Sequence, residues 1–170
     1  AFSRRQEQYS TVFGDDRVYT PQMIVDGADE FVGSDEARAT ASIRKAAAEA
    51  HLQVGVSAEL RGGVARIAVD APPAPAGAKE KIDVMVAIAE DGLTSAVKRG
   101  ENNGRTLAHT AVARRLESIG TLDRDAFAGE GQWKLLPAWR AQSLRVIAFL
   151  QGQKSHRVYG SAQARLAPSR

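Results

Sequence analysis

The segment from Gly100 to Arg114 concentrates the side chains of this sequence that are best suited to chemistry. They are Glu101, Asn102, Arg105, His109 and Arg114. A carboxylate, an imidazole and two guanidinium groups can form a small acid–base or anion-binding cluster when a loop brings them together. The same residue types also suit a structural loop, in which Asn and Gly adopt left-handed turns and Glu101 pairs with an arginine. The structural interpretation is favoured, and the functional one stays open.

Other kinds of catalytic or binding site are not indicated. His51, His109 and His156 are dispersed, without an HxxxH or HExxH spacing, so no metal site is expected. The sequence has neither a Gly-x-Ser-x-Gly elbow nor a Gly-Lys-Ser/Thr phosphate loop. It also contains no cysteine, so these residues cannot carry out thiolate chemistry. We therefore expect no catalytic residue and no cofactor within this chain.

The composition is that of a folded chain with an ordinary surface. Of the 170 residues, 44% are hydrophobic and 25% are charged, which is enough to bury a core in one domain or two small ones. The net charge is only +3, basic and acidic residues are interspersed, and 6% of the residues are aromatic. A nucleic-acid surface needs a basic stripe with stacking aromatics, so that function is not expected. No apolar run reaches the ~20 residues of a membrane span.

A β-hairpin is predicted near the N terminus. Thr20 and Pro21 stand at the entrance of a four-residue strand, where a proline needs no ladder hydrogen bond. Asp26-Gly27 predicts a tight turn, and a second strand covers residues 30–32. From the sequence alone a trans Thr20–Pro21 bond is favoured, because most X-Pro bonds in folded proteins are trans.

Two helices flank this hairpin. Tyr9 and Phe13 share one face of the first helix with Phe2. The second is predicted from Ser34, as its N-cap, to about Ala50. One hairpin and two helices cannot cover both faces of a sheet. Residues 1–51 are therefore interpreted as a partial domain that begins inside a longer precursor.

Residues 52–170 are predicted to form an antiparallel, β-sandwich-like domain. Short segments with alternating or continuous apolar residues recur between turn signals, as in sandwiches. The segments are 52–61, 64–70, 82–88, 93–98, 132–136, 144–150 and 157–166. Residues 107–119 fit a helix or a strand, and a strand is favoured because its neighbours are strands. The fold class is thus α+β, with a domain boundary near His51.

The sequence resembles an uncharacterised secreted or periplasmic bacterial thioredoxin-like family, classed as a domain of unknown function. The resemblance covers nearly the whole chain. The motifs that carry it are Tyr19-Thr20-Pro21-Gln22-Met23, Asp26-Gly27, Phe31-Val32-Gly33-Ser34 and Gly100-Glu101-Asn102-x-Gly104-Arg105-Thr106-Leu107-x-His109. It implies that residues 1–51 are the C-terminal half of a thioredoxin-like fold, hairpin plus helix, that lacks its N-terminal Cys-containing part. It also implies a cis Thr20–Pro21 bond beside those cysteines, and a periplasmic or secreted location.

Two functional hypotheses follow. In the first, the complete protein is related to thiol-disulfide oxidoreductases, and Thr20 and Pro21 position a protein substrate without supplying chemistry. No catalysis is expected from this chain alone, because the thiolate is the nucleophile of that reaction. In the alternative, the protein is a non-catalytic binding or scaffold protein of the cell envelope, and the Gly100–His109 loop contacts the partner.

Overall fold

A computed structural model describes residues 2–14, 19–99 and 103–168. In this part of the chain the fold is α+β, with mostly antiparallel β-sheets and two α-helices. The elements are α1 (Phe2–Phe13), β1 (Gln22–Val25), β2 (Asp29–Val32), α2 (Glu36–Ala47), β3 (Gly55–Arg61), β4 (Val64–Ala71), β5 (Ile82–Glu90), β6 (Leu93–Ala96), β7 (Thr106–His109), β8 (Val112–Leu122), β9 (Phe127–Lys134), a 3-10 turn (Ala141–Ser143), β10 (Leu144–Gly152), β11 (Val158–Arg165) and β12 (Ala167–Pro168). The strand interpretation of residues 107–119 is therefore confirmed.

Two four-stranded sheets supply one hydrophobic core. The first has the strand order β11-β10-β5-β8 and the second β12-β3-β4-β9. All neighbours pair antiparallel except β12, which runs parallel to β3. Side chains from both sheets belong to the same buried cluster, to which β4 contributes Ile67, β5 contributes Val84 and Ile88, and β10 contributes Val146 and Leu150. The strand β10 lies between β11 and β5, and along most of its length buried positions alternate with half-buried ones.

The two sheets also contact each other through their edge strands β8 and β9. The indole Nε1 of Trp133 on β9 donates a hydrogen bond of 2.7 Å to Glu117 on β8. The guanidinium of Arg115 lies 5.6 Å from the centre of the Trp133 ring. The Trp133 hydrogen bond lowers the pKa of Glu117, and Arg115 adds to that effect against the opposing effect of burial. The buried Trp133, whose indole N–H is hydrogen-bonded, thus connects the edge strands of the two sheets.

The hairpin β1–β2 forms as predicted, but α2 differs in detail. Its N-cap is Asp35, which accepts a 2.9 Å hydrogen bond from the backbone N–H of Arg38, and not Ser34. The helix ends at Ala47 and buries Ser42, whereas Ile43 is 50% exposed. The sequence places Ala39, Ile43 and Ala46 on one stripe of the helix that suits packing on a sheet, and for Ile43 this expectation is wrong. Because the Ser42 side chain hydrogen-bonds Asp29, the helix turns a polar position toward the hairpin.

Helix α1 and the hairpin contact the β10–β11 end of the first sheet. Tyr9 is buried, and its hydroxyl accepts a 2.9 Å hydrogen bond from the Gln151 side-chain amide. Arg5 donates to the oxygen of the same amide at 2.8 Å. The backbone N–H of Val158 donates to the carbonyl of Asp26 at 2.7 Å. The domain boundary expected near His51 stays a prediction, and these hydrogen bonds connect residues on its two sides.

Candidate functional site

Thr20 and Pro21 are exposed at the entrance of the hairpin. The bond between them is cis. The carbonyl of Pro21 accepts a 2.8 Å hydrogen bond from the backbone N–H of Gly33, just after β2. A Cβ on Gly33 would lie 3.4 Å from the Cβ of Pro21, so the two segments pack at van der Waals contact. The hairpin thus fixes the position of the Thr-Pro step while both side chains face solvent.

An open groove lies beside the same hairpin. It has a volume of about 580 Å³, and its walls include Met23, Ile24, Ile43 and Ala47. His51, at the end of the groove, shares a 2.9 Å hydrogen bond with the carboxylate of Asp26. That hydrogen bond raises the pKa of His51, against the opposing effect of burial. The groove combines apolar walls with one acid–base pair.

Within the described residues, strands β6 and β7 pair only with each other. With their connection they form a segment that we call the arm (residues 93–109). The register pairs Leu93 with His109 and Ala96 with Thr106. Beyond the strands, Val97 and Arg105 continue the backbone hydrogen bonding at 2.9 Å. Every described residue of the arm is exposed or half-buried. The arm extends the β5–β8 hairpin beyond the first sheet.

The structure separates the residues of the cluster predicted between Gly100 and Arg114. Glu101 and Asn102 lie outside the described residues. Arg105 is exposed on the arm, and the Nε2 atom of His109 shares a hydrogen bond across the strands with the hydroxyl of Ser95. Arg114 lies on β8 and contacts Glu90 on β5. Because β8 pairs with β5 whereas β7 pairs with β6, Arg114 and His109 contact different residues.

Glu90 is a fully buried carboxylate at the base of the arm. Its side chain is 0% exposed and accepts hydrogen bonds from the Nε of Arg114 at 2.8 Å and the Nε of Arg140 at 3.0 Å. The backbone N–H of Arg140 donates as well, at 3.2 Å. Burial raises the pKa of Glu90, but the hydrogen bonds from Arg140 and Arg114 outweigh it and leave the pKa below its ordinary value. The buried charge is thus compensated by two cations.

Asp91, the next residue, anchors both ends of the arm. Its carboxylate accepts hydrogen bonds from the side chain of Arg145 and, at 2.8 Å, from the backbone N–H of Ala111. These hydrogen bonds lower the pKa of Asp91. Gly92, with φ of +66°, and Ala111, with φ of +52°, are the two positions where the backbone bends as it enters and leaves the arm. We call Glu90, Asp91, Arg114, Arg140 and Arg145 the arm-base cluster.

Sequence reasoning found Arg114 but missed the rest of this cluster. The sequence did contain one indication that Glu90 is buried. Every second residue of β5 from Ile82 to Ile88 is apolar and points inward, and Glu90 is the next such position. A carboxylate there must be buried and therefore needs cationic partners. The contacts of Arg140 and Arg145 could not be predicted, because each arginine is about fifty residues from its partner in the sequence.

Within residues 2–14, 19–99 and 103–168, no three acidic or histidine side chains converge as a metal site requires. Neither described helix has the length and apolar composition needed to cross a membrane. The candidate functional features of this part of the chain are the arm with the arm-base cluster, and the β1–β2 hairpin with Thr20 and Pro21 at its entrance, which we call the Thr-Pro hairpin.

The family described as a protein of unknown function, DUF1223, matches residues 1–151 of the sequence. The chain belongs to this family. The expected membership in a family of unknown function is thereby confirmed, while the thioredoxin-like relationship stays a prediction. Among proteins with curated descriptions, none matches the DUF1223 chain.

Three solved structures resemble this DUF1223 fold. Protein AGR_C_4864 from Agrobacterium tumefaciens is 23% identical, with a TM-score of 0.64 over 95% of this chain and 68% of that one. HBP35 of Porphyromonas gingivalis is 12% identical, with a TM-score of 0.67 over 94% of this chain and 56% of that one. A domain of the outer membrane lipoprotein Omp28 from Porphyromonas gingivalis is 15% identical, with a TM-score of 0.50 over 71% of this chain and 92% of that domain. At these identities the similarity concerns the fold alone.

Proposed function

We propose that this DUF1223 chain is part of an exported thioredoxin-like protein of the bacterial envelope that takes part in thiol-disulfide exchange. Residues 1–51 are its partial thioredoxin-like unit, and residues 52–170 are a β-sandwich-like domain. The observation that carries the proposal is the Thr20–Pro21 step, exposed at the hairpin entrance and fixed by the Gly33 N–H. The fold similarity to a domain of Omp28, an outer membrane lipoprotein, supports an envelope location.

The chemistry of the proposed exchange needs a pair of thiols, which this sequence lacks. In the complete protein, a thiolate of that pair attacks one sulfur of a substrate disulfide, and the other substrate sulfur leaves as a thiolate. The second thiol of the pair then displaces the substrate from the mixed disulfide. The substrate disulfide is reduced by two electrons, and the thiol pair is oxidised to a disulfide. Thr20 and Pro21 position the substrate backbone and form no covalent bond.

The test uses the complete gene product. We expect it to reduce the disulfides of insulin in the presence of dithiothreitol, and we expect Pro21→Ala and Thr20→Ala to lower kcat/KM. Pro73→Ala, at another exposed proline, is the matched control and should leave the rate unchanged. A gene product without a cysteine pair would overturn the redox proposal. Unchanged kinetics of both variants would overturn the role of the Thr20–Pro21 step.

A second candidate function is supported by the arm. Its exposed described side chains include the cations Lys98, Arg99 and Arg105, and its base is held by the arm-base cluster. An exposed ribbon on a rigid base suits recognition of another protein, because little conformational entropy is lost on binding. In this alternative the protein is a non-catalytic binding or scaffold protein of the envelope.

Site-specific crosslinking tests the second function. A photoreactive amino acid at position 105, on the arm, should form a covalent adduct with one partner in living bacteria. The same amino acid at position 66, an exposed site on β4, is the control and should not form it. Replacing Glu101, Arg105 and His109 by alanine should weaken partner capture without unfolding the protein. Equal adducts at positions 105 and 66 would assign the arm a structural role.

A further inference from the structure

A polar cleft of about 440 Å³ lies where the start of β10 meets the end of β11, next to the arm-base cluster. Its lining includes Asp91, Gln142, Ser143, Arg145, Gln163 and Arg165. The cleft is remote in the sequence from the Thr-Pro hairpin. A ligand site in this cleft is independent of both functions proposed above.

Two arginines face each other in the cleft. Arg145 on β10 and Arg165 on β11 are direct partners in the antiparallel register. Like charges at directly opposite positions of two strands destabilise the pair of strands. Arg145 is neutralised, because Asp91 accepts hydrogen bonds from both its Nε and its Nη2. Arg165 acts on the same Asp91 carboxylate only at longer range, so within the described residues it forms no ion pair of its own.

Two side chains of the cleft, Arg165 and Gln163, have hydrogen-bond donors that remain free. Arg165 is exposed and makes no hydrogen bond or ion pair with the described residues. The side-chain oxygen of Gln163 accepts from Nη1 of Arg145 at 3.3 Å, which leaves the Gln163 amide N–H groups available to donate. The carboxylate of Asp91 is already used by Arg145 and the N–H of Ala111. The cleft thus offers donors and a positive charge.

The wider surroundings carry the same excess of positive charge. The arginines at this end of the sheet are Arg114, Arg140, Arg145 and Arg165, and the carboxylates are Glu90 and Asp91. Each carboxylate is bound to at least one of the first three arginines. Of these groups, Arg145, Arg165 and Asp91 line the cleft, so an anion that enters it meets two guanidinium groups and one carboxylate that Arg145 already occupies.

We propose that this cleft binds a phosphate group, held by the guanidinium of Arg165 and the side-chain amide of Gln163. A guanidinium presents paired N–H donors that match two phosphate oxygens, and a charge-assisted pair of this kind is stronger than neutral hydrogen bonds. The bound anion also supplies a direct counterion to Arg165. Free phosphate and a phosphate monoester share this chemistry.

NMR titration of the full chain tests the proposal. Inorganic phosphate, added at constant ionic strength with chloride, should shift the Gln163 side-chain amide and the Arg165 Nε–H signals in a saturable way. Glycerol 3-phosphate, titrated in parallel, distinguishes a site for esters from one for the free ion. If the ester binds more tightly, the natural ligand is a phosphate monoester. If it binds less tightly, the ligand is the free ion.

A charge-matched pair of variants isolates the site. Arg165→Gln should raise the apparent Kd for phosphate roughly tenfold, the effect of losing a charge-assisted hydrogen-bonding partner. Arg66→Gln removes the same charge from an exposed site on β4 and should leave the Kd unchanged. Equal weakening in both variants, or no saturable shift of the Gln163 amide, would overturn the proposal.

Thermal unfolding gives a second measurement. Phosphate should raise the Tm of the wild type and of Arg66→Gln by the same amount, because a ligand that binds only the native state stabilises it. The increase should be smaller in Arg165→Gln. Because the Arg165 side chain is exposed and not hydrogen-bonded to the described residues, this variant should fold. An equal increase in all three proteins would mean a general salt effect and would contradict the site.

Discussion

Gly27, in the turn of the N-terminal hairpin, lies directly against the backbone carbonyl of His156, before β11. A Cβ on Gly27 would overlap the carbonyl oxygen and carbon of His156 and lie 3.0 Å from the Cα of Arg157. Gly27 also has a φ of +65°, which L side chains rarely adopt. The position therefore requires glycine both for its conformation and for the contact between the hairpin and the β-rich part of the chain.

Gly27→Ala should therefore destabilise the protein by about 3 kcal/mol, the sum of ~1 kcal/mol for the left-handed conformation and ~2 kcal/mol for overpacking. Gly62→Ala is the matched control, because Gly62 has a φ of +55° and a Cβ added there would meet no atom within 4 Å. It should lose only the conformational part. Urea denaturation followed by circular dichroism measures both. Equal losses in the two variants would show that the hairpin separates from His156 at little cost.

Replacement of Glu90 by glutamine should destabilise the protein by about 2 kcal/mol. This is less than the ~3–5 kcal/mol of breaking a wholly buried ion pair, because Arg114 and Arg140 reach solvent. Hydrogen exchange of the arm amides should also become faster, since Glu90 holds the base of the arm. Glu59→Gln is the control, because Glu59 and Arg61 form a 3.4 Å pair whose side chains are both 57% exposed. That change should cost less than ~1 kcal/mol. A loss for Glu90→Gln no larger than the control would contradict the arm-base cluster.

The stability of the protein should fall in acid partly through Glu80. Burial raises its pKa, but hydrogen bonds from the Ser155 hydroxyl, the backbone N–H groups of Ser155 and Lys154, and the Tyr159 hydroxyl lower the pKa to about 2. The unfolded chain has the ordinary value of 4.5. Because the folded pKa is depressed, the stabilisation is complete above pH 4.5 and is lost as the pH falls toward 2.

The urea midpoint of Glu80→Gln, compared with that of the wild type across this range, measures the effect. The difference between the two proteins should be largest near neutral pH and should shrink in acid. Parallel curves would mean that Glu80 titrates alike in the folded and unfolded states.

His51 should titrate above its ordinary pKa of 6.5, because it shares a hydrogen bond with Asp26. Since the folded pKa is raised, the stabilisation is present below pH 6.5 and is lost as the pH rises through the folded pKa. An NMR pH titration of the His51 ring measures this value directly. Asp26→Asn should lower the pKa of His51, whereas Asp123→Asn, which removes the same charge just after β8, should not. A His51 pKa that is insensitive to Asp26→Asn would contradict the pairing.

The local parts of this fold could be predicted from the sequence. The turn Gly62-Gly63 has both residues at positive φ, and the strands beside it pair in the register that such a turn sets. The hairpin β1–β2 followed in the same way from Asp26-Gly27. These features depend on interactions within a few residues, so composition and alternation are enough to specify them.

The arm-base cluster could not be predicted in the same way. Arg114 and Glu90 meet because β8 pairs with β5, and Arg140 reaches Glu90 because β10 lies on the other side of β5. Strand order is a property of the whole sheet, and no short segment encodes it. The N-cap of α2 was misplaced by one residue because Ser34 and Asp35 are both good caps. When two neighbouring residues can both cap a helix, the backbone geometry decides which one does.

The contact between Trp133 and Glu117 makes the junction of the two sheets visible to spectroscopy. The buried Trp133 indole has a charged carboxylate on its N–H and a guanidinium beside its ring. If β8 and β9 separate, the Trp133 ring moves away from both charged groups and becomes exposed to water. Its fluorescence emission maximum then shifts to longer wavelength. With Trp139→Phe, Trp133 is the single tryptophan of the chain. Its emission then reports whether the sheet edges part before the core unfolds.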